Sequence, residues 1–372
     1  MADGVQKRLT ITSIDQYDSN KVYSAIAFNG GFAARDFWLG NGNVYRGNYA
    51  FYNVLSEYIK LLLKDSCKFT LLPSSTIISL NSEREEFVDE LCKVIDTLLA
   101  LPMDEEIFNK AYNNVRENYA RAYKEADFRA QYRALEFVEY SKDFKVQELN
   151  RDVDTITFDT FVECAEKILV LDNMYVYVLG NTNGIELTKL EKCLPRTNTQ
   201  CDLAAFERNL FAREDAHIRE IGRKNLICVA VSIAFLNPNA DARTRFFLCA
   251  FMKELLESDD VVSFFDIYDA GFTKKTNSFE SMREKFKTFF DERKYYEARD
   301  NIRKGYTELL CGLPNEFCKE AASLGLYGID IIDIVNTIAG CTYENFKKVY
   351  TEADILVNEG QVIMMRGEYV TQ

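Results

Sequence analysis

A single histidine, His217, stands in this 372-residue chain, and that count narrows its chemistry at once. Zinc catalysis draws mostly on imidazole ligands, and general-base work most often uses the same side chain. His217 lies in AREDAHIREIG, a charged stretch that reads as a solvated linker. The ten cysteines contain no CxxC pair, so neither a zinc ribbon nor a thioredoxin-type redox motif is present. Most sit among apolar neighbours, as Cys228 does in NLICVAVSIAF and Cys249 in FFLCAFM. There a free thiol behaves as a small buried hydrophobe. A cysteine nucleophile needs a base beside it, and His217 is near no cysteine in sequence. The glycines of GNGNVYRG (40–47) suit a phosphate-cradling loop, but the lysine that such loops use is missing, and flexible turn glycines explain the stretch better.

The elements that would position any site occur twice. FNKAYNNVRENY (108–119) and YYEARDNIRKGY (295–306) are offset by 187 residues and share Ala111/Ala298, Asn114/Asn301, Arg116/Arg303 and Tyr119/Tyr306. Downstream, Thr157, Phe158, Asp159 and Phe161 align with Thr342, Tyr343, Glu344 and Phe346, and an apolar strand reaching Gly180 or Gly367 follows. A third echo is Ile26-Ala27-Phe28 against Ile233-Ala234-Phe235. Three collinear echoes predict a tandem duplication: an N-terminal domain over 1–181, a linker over 182–222 and a C-terminal domain over 223–372. Within the first half, strands are predicted over 8–14 and 21–29, a helix over 48–64, and two strands over 67–80 broken at Pro73. Asn81 or Ser82 is expected to cap a helix over 83–101. Helices over 104–124, 126–140 and 157–169 follow, then the strand MYVYVLG. The second half repeats the order, with strand 225–236 running into a helix that starts at Asn237-Pro238. Each domain is thus expected to be α+β, with helices on one face of a mainly antiparallel sheet.

This order of elements, from the second strand through the threonine-led helix and the glycine-ended strand, resembles the inverted-zincin peptidases, the family of insulin-degrading enzyme, pitrilysin and mitochondrial processing peptidase. The resemblance covers nearly the whole chain and rests on framework positions. It implies a clamshell-half metallopeptidase fold and, after the second strand, a helix carrying HxxEH, whose histidines bind zinc and whose glutamate activates water. Laid on GNYAFYNVL, those positions become Ala50, Asn53 and Val54. In the region of the third ligand, Glu117 remains within VREN. One carboxylate does not hold a catalytic zinc. The family's carbonyl-polarising Arg and Tyr fall, with Gly271 as anchor, on Tyr268 and Lys274. The resemblance further implies that an extended peptide adds a strand to a sheet edge, which here matches Lys68, Phe69, Thr70 and Leu71.

Composition fits a globular protein with a soluble surface. The chain is 47% apolar, carries 45 basic and 58 acidic residues, and has a net charge of −13, which disfavours nucleic acid as the main partner. No apolar run has the length to span a bilayer, and the start MADGVQKRLT lacks a signal-peptide core, so a cytoplasmic location is expected. The expected function is a non-catalytic subunit of a heterodimeric peptidase. It needs no cofactor itself, since zinc would sit only in a homologous partner subunit, and it would position a peptide, in context a leader peptide of a bacteriocin-like precursor. The rival is a structural scaffold subunit with no part in proteolysis.

Overall fold

The computed structural model describes residues 8–14, 20–31, 36–38, 44–46, 50–63, 67–72, 75–130, 153–194, 216–222, 225–255, 261–265, 269–276 and 291–366. In the first half these form β1 (Leu9–Ser13), β2 (Lys21–Asn29), β3 (Asp36–Trp38), β4 (Val44–Arg46), α1 (Phe51–Leu63), β5 (Lys68–Leu71), β6 (Ser75–Glu83), α2 (Phe87–Leu99), α3 (Glu105–Ala122), α4 (Phe158–Ile168) and β7 (Met174–Gly180). Next come α5 (Thr188–Cys193), β8 (Ala216–Gly222), β9 (Leu226–Phe235), α6 (Ala242–Leu255), β10 (Val261–Phe265) and β11 (Asp269–Thr276). The chain closes with α7 (Glu292–Gly312), α8 (Pro314–Gly325), α9 (Ile331–Gly340), α10 (Tyr343–Ala353) and β12 (Ile355–Arg366). No described helix is long and apolar enough to cross a membrane.

The duplication reappears as two sheets of identical connectivity. One has the order β1-β7-β2-β6-β5, the other β8-β12-β9-β11-β10. In each, the first pair is parallel (β1 with β7, β8 with β12) and the other pairs are antiparallel. The expected mainly antiparallel α+β architecture is therefore present twice. The Ile-Ala-Phe echo marks the central strand of each sheet, where Ile26 faces Val176 and Ile78, and Ile233 faces Val357 and Ala270. Both echoed threonines cap helices. The hydroxyl of Thr157 accepts from the Thr160 N–H, and that of Thr342 accepts from the Asn345 N–H, each at 3.3 Å.

Three boundaries differ from the sequence expectation, each for a visible reason. β6 continues to Glu83 because Asn81 and Ser82 pair with Tyr23 and Val22 of β2, so neither residue caps a helix and α2 begins at Phe87. α6 begins at Ala242 rather than Asn237-Pro238. The Asn237 amide instead donates to the Glu352 carbonyl at 2.6 Å, and Asp241 Oδ1 accepts from the Thr244 N–H at 2.8 Å. The stretch 182–222 contains α5 and, at its end, β8, which is the edge strand of the second sheet beside β12. The helical stretch expected over 203–214, most of the helix over 126–140, and Gly367 lie outside the described residues; 126–130 are helical.

The chain divides into two compact units that do not follow its halves end to end. One comprises Met1–Arg116, Asp152–Phe206 and Tyr306–Asp333, the other Glu117–Arg151, Glu207–Gly305 and Ile334–Gln372. Moving 306–333 back by the 187-residue offset of the repeat lands on 119–146, so the segments exchanged between the units are equivalent ones.

In the first unit this exchange places α8 against β2, β6 and β7. Alternation along a strand sends Ala25, Ala27, Ile77, Ser79, Tyr175 and Tyr177 to one face. α8 meets that face, with Phe317 edge-on to Tyr177 at 6.1 Å and Ser323 Oγ 3.5 Å from Ser75 Oγ. Small residues on both sides permit the approach: Ala321 and Ala322 are buried, and a Cβ added at Gly325 would overlap the Tyr175 ring. The tyrosine hydroxyls still find partners, Tyr175 with Thr10 Oγ1 at 2.5 Å and Tyr177 with Thr12 Oγ1 at 2.7 Å. The other face carries Ile26, Ile78, Val176 and Val178, all fully buried. Phe69 of β5 lies on that face opposite Ile78, and Lys60 of α1 stands 5.8 Å above its ring. The sheet is thus covered on both faces, not on one as expected. The second cover comes from the far half of the chain.

Candidate functional site

The sequence places the site at the start of α1 and on the neighbouring sheet edge, and the first unit holds both. The helix opens with the Val54 N–H donating to the Ala50 carbonyl at 3.0 Å. Ala50 and Val54, one turn apart as two metal-binding histidines would be, are both at 0% exposure. Phe51, Tyr52, Leu55, Tyr58 and Ile59 are buried with them, so apolar packing takes the face that a metal helix gives to its ligands. Tyr52 also occupies the space over Gly30, whose φ of +119° suits glycine at the end of β2. Asn53 is half-buried, and its amide nitrogen has no basic lone pair. Glu117 is exposed on α3.

These residues do not fit the zinc ion that the sequence resemblance implies for the family. A methyl and an isopropyl group supply no lone pair, an amide is no general base, and one exposed carboxylate does not make a site. Among the described residues no group of three His, Cys, Asp or Glu side chains has the geometry to hold a metal.

Polar ties between α1 and the segment leading into α3 hold this region together. The Tyr58 hydroxyl donates to the Pro102 carbonyl at 2.6 Å and accepts from the Asp104 N–H at 2.7 Å. Burial pushes the Tyr58 phenol above its ordinary pKa, against the opposing pull of the Asp104 N–H. One residue earlier, Glu57 Oε1 accepts from Asn114 Nδ2 of α3 at 2.9 Å, and Lys60 lies 3.6 Å from the same carboxylate. Asn114 is one of the four residues identical in the repeat. These ties link α1 directly to the entry and body of α3. Sequence reading passed over Glu57 and Tyr58 because one reads as a solvated charge and the other as a core aromatic.

The proposed peptide edge is a real edge. Lys68–Leu71 form β5, the outermost strand of the first sheet, paired through Lys68–Ser79, Phe69–Ile78, Thr70–Ile77 and Leu71–Thr76. No described strand pairs with its outer side. Lys68 is exposed, and Phe69, Thr70 and Leu71 are half-buried.

The other sequence-derived positions separate from this region. Tyr268 lies outside the described residues, and Lys274 sits in β11 between Val229 and Val261. His217, read as a linker residue, instead belongs to β8, in register with Gln361. In the glycine stretch 40–47, Val44–Arg46 form a strand paired with β3 rather than a phosphate loop's helix. Five described cysteines (67, 92, 164, 228 and 318) and Cys249 are buried, as expected, but Cys193 and Cys341 are half-exposed and Cys311 is exposed.

No family model and no curated protein matches the sequence. Solved structures do match along the whole length. A protein described as an M16-like peptidase from Alicyclobacillus acidocaldarius superposes with a TM-score of 0.67 at 14% identity, covering 96% of each chain. A protease from Helicobacter pylori gives 0.67 at 10% identity, covering 95% of this chain and 96% of its own. A peptidase M16 inactive domain from Pseudomonas fluorescens gives 0.58 at 11% identity, covering 97% of this chain and 96% of its own. At these identities the likeness speaks for the fold: the chain has the α+β fold of M16-like peptidases from end to end.

Proposed function

We propose that this chain is the non-catalytic subunit of a two-chain zinc peptidase, in which it holds an extended peptide while a homologous partner supplies the metal. The observation that carries the reading is a contrast inside one unit. Ala50 and Val54 are sealed into the core, while β5, the outer strand of the first sheet, has no described strand beyond its edge. Such an edge binds a peptide through main-chain hydrogen bonds and needs no catalytic group. Loss of the metal ligands therefore leaves this mode of peptide binding intact. The likeness to an inactive M16 domain supports the same division of labour. Within this reading the substrate is a short precursor peptide, of which a bacteriocin-type leader is one example.

The test is reconstitution. A homologue carrying HxxEH, encoded beside this chain, is mixed with it and offered extended peptides. Cleavage by the mixture, and by neither chain alone, is the expected result. Replacing Thr70 with proline introduces a residue that disrupts strand backbone geometry at the edge and is expected to lower cleavage by the mixture at least about tenfold. Full activity of the partner alone would sink the proposal and leave a scaffold role.

A further inference from the structure

Among the described strands β5 pairs on one side only, and its ladder has a definite phase. The Leu72 N–H donates to the Ser75 carbonyl at 2.8 Å, one step beyond the Leu71–Thr76 pair. Bonded and non-bonded pairs alternate along an antiparallel ladder, so Thr70–Ile77 and Lys68–Ser79 are the bonded ones. The Lys68 carbonyl agrees with this phase, since it accepts from Ser79 Oγ at 3.5 Å. Phe69 and Leu71 therefore turn their N–H and C=O groups away from β6, to the side where no described strand pairs. Two lysines flank this open ladder. α1 packs over β5, and Lys60 Nζ stands 5.8 Å from the Phe69 ring centroid. The Lys60 side chain is 41% exposed, and its ion pair with Glu57, at 3.6 Å, is longer than a hydrogen bond. That leaves its N–H groups for a closer acceptor. Lys68 is exposed and, one residue before Phe69, belongs to the opposite face of the sheet.

We propose that this edge selects an acidic peptide: a strand added antiparallel to β5, as β5 is to β6, with two consecutive Asp or Glu residues opposite Phe69 and Lys68. The inference rests on the peptide-holding reading of β5 and adds the chemistry of the peptide to it. Side chains directly opposite each other share a face of the sheet. The peptide residue opposite Phe69 exchanges main-chain hydrogen bonds with it and projects beside its ring, on the face where Lys60 stands. The next residue, opposite Lys68, makes a non-bonded pair, in which Cα atoms approach to about 4.5 Å and opposite charges meet closely. The two lysines thus read two neighbouring side chains from opposite faces, which one acidic residue alone does not satisfy. The residue opposite Leu71 returns to the Phe69 face, where Leu71 favours an apolar partner. The net charge of −13 repels an acidic peptide at long range. At physiological ionic strength that repulsion is screened beyond about 8 Å, so the two local cations decide at the edge.

The full chain is titrated with fluorescein-labelled Thr/Val peptides that differ only in a central Glu-Glu, Gln-Gln or Lys-Lys pair, and binding is read by anisotropy. The expected order is Glu-Glu tightest and Lys-Lys weakest. Lys60→Gln and Lys68→Gln should each weaken the Glu-Glu peptide by about two- to fivefold and leave the Gln-Gln peptide unchanged. Leu71→Pro removes an outward N–H and spares the bonded pairs with β6, so it should weaken all three peptides. Methylating every second peptide amide, on the edge that faces β5, should do the same with the protein unaltered. Equal affinity for the three peptides, each still weakened by methylation, would overturn the acidic selectivity and leave the peptide edge standing. Binding that ignores both Leu71→Pro and methylation, or no binding of any of the three, would overturn the edge reading and this inference with it.

Discussion

In the first half, Phe161 of α4 takes the rings of Phe51, Tyr58 and Phe108 at centroid distances of 5.8, 5.0 and 5.1 Å. In the second, Phe346 of α10 takes Phe247, Phe251 and Tyr295 at 6.1, 4.8 and 4.9 Å. Phe158 and Tyr343, one turn earlier, add equivalent contacts to Phe108 and Tyr295. The apolar knots match, but their hydroxyl groups do not. In the first half the hydroxyl sits on α1 (Tyr58) and anchors the entry to α3; in the second it sits on the long helix α7 (Tyr295) and donates to the Cys341 carbonyl just before α10, at 2.9 Å. The duplication has kept packing and let polar anchoring diverge. That is what elementary energetics favours, since an interdigitated core constrains several side chains at once, whereas a hydrogen bond needs only one donor and one acceptor nearby. The two hydrogen bonds of the first-half hydroxyl lie on α1.

The largest test of this likeness is to empty each knot. Phe161→Ala and Phe346→Ala each remove a fully buried ring, and each is expected to cost about 3–5 kcal/mol in urea unfolding. Similar losses would show that the knots are equivalent supports. A loss at one site less than half that at the other would break the comparison, by showing that one half carries the stability of both.

How much of this was legible in sequence depends on the range over which each feature is encoded. β2, β7 and β9 were legible because their apolar content and turn residues are local, and the helices capped by Thr157 and Thr342 were legible because a cap and its first turn are adjacent. Asn81 and Ser82 misled because a cap-forming residue type says nothing of β2, some 60 residues away, which holds them in a strand. The placement of α8 was hidden for a similar reason: Ala321, Ala322 and Gly325 read as a bland small-residue helix until Ala25, Ala27 and Ser79 are seen facing them. That Ala50 and Val54 offer a metal no lone pair was legible, since no fold changes their side chains. The ties of Tyr58 and Glu57 were not, because hydrogen bonding across 44 and 57 residues leaves no local pattern.

A smaller effect sharpens the contrast in anchoring. Tyr58→Phe strands both a carbonyl and an N–H, and is expected to cost about 1–2 kcal/mol, against about 1 kcal/mol for Tyr295→Phe, which strands one carbonyl. Alkaline titration should separate them further. Burial raises both phenols above their ordinary value, so each contributes stability that is fully present below about pH 10 and lost as pH rises through its folded value. The Asp104 N–H pulls the Tyr58 phenol back down, while the Cys341 thiol pushes Tyr295 further up, behind burial. Tyr295→Phe is therefore expected to flatten the alkaline fall in stability more than Tyr58→Phe. The reverse ranking would mean that the hydroxyls are not the distinguishing anchors.

The smallest expected difference lies at the two threonine caps. Thr157 and Thr160 exchange hydrogen bonds: the Thr160 N–H donates to Thr157 Oγ1 at 3.3 Å, and the Thr157 N–H donates to Thr160 Oγ1 at 3.1 Å. Thr342 has the forward bond to the Asn345 N–H, at 3.3 Å, with no capping box. Replacing either threonine by alanine removes one acceptor for an orphan helix N–H, at about 1 kcal/mol. Thr157→Ala also frees Thr160 from its reciprocal partner, so it is expected to cost a few tenths of a kcal/mol more than Thr342→Ala. Thr160→Ala tests that increment, because it leaves the Thr157 hydroxyl in place and removes the return bond together with the Thr160 hydroxyl's contacts to the Thr157 hydroxyl and carbonyl, both at 3.0 Å. If Thr160→Ala is neutral in thermal unfolding while the two threonine caps still differ, the difference comes from the packing of α4 and α10 on their knots rather than from the capping box.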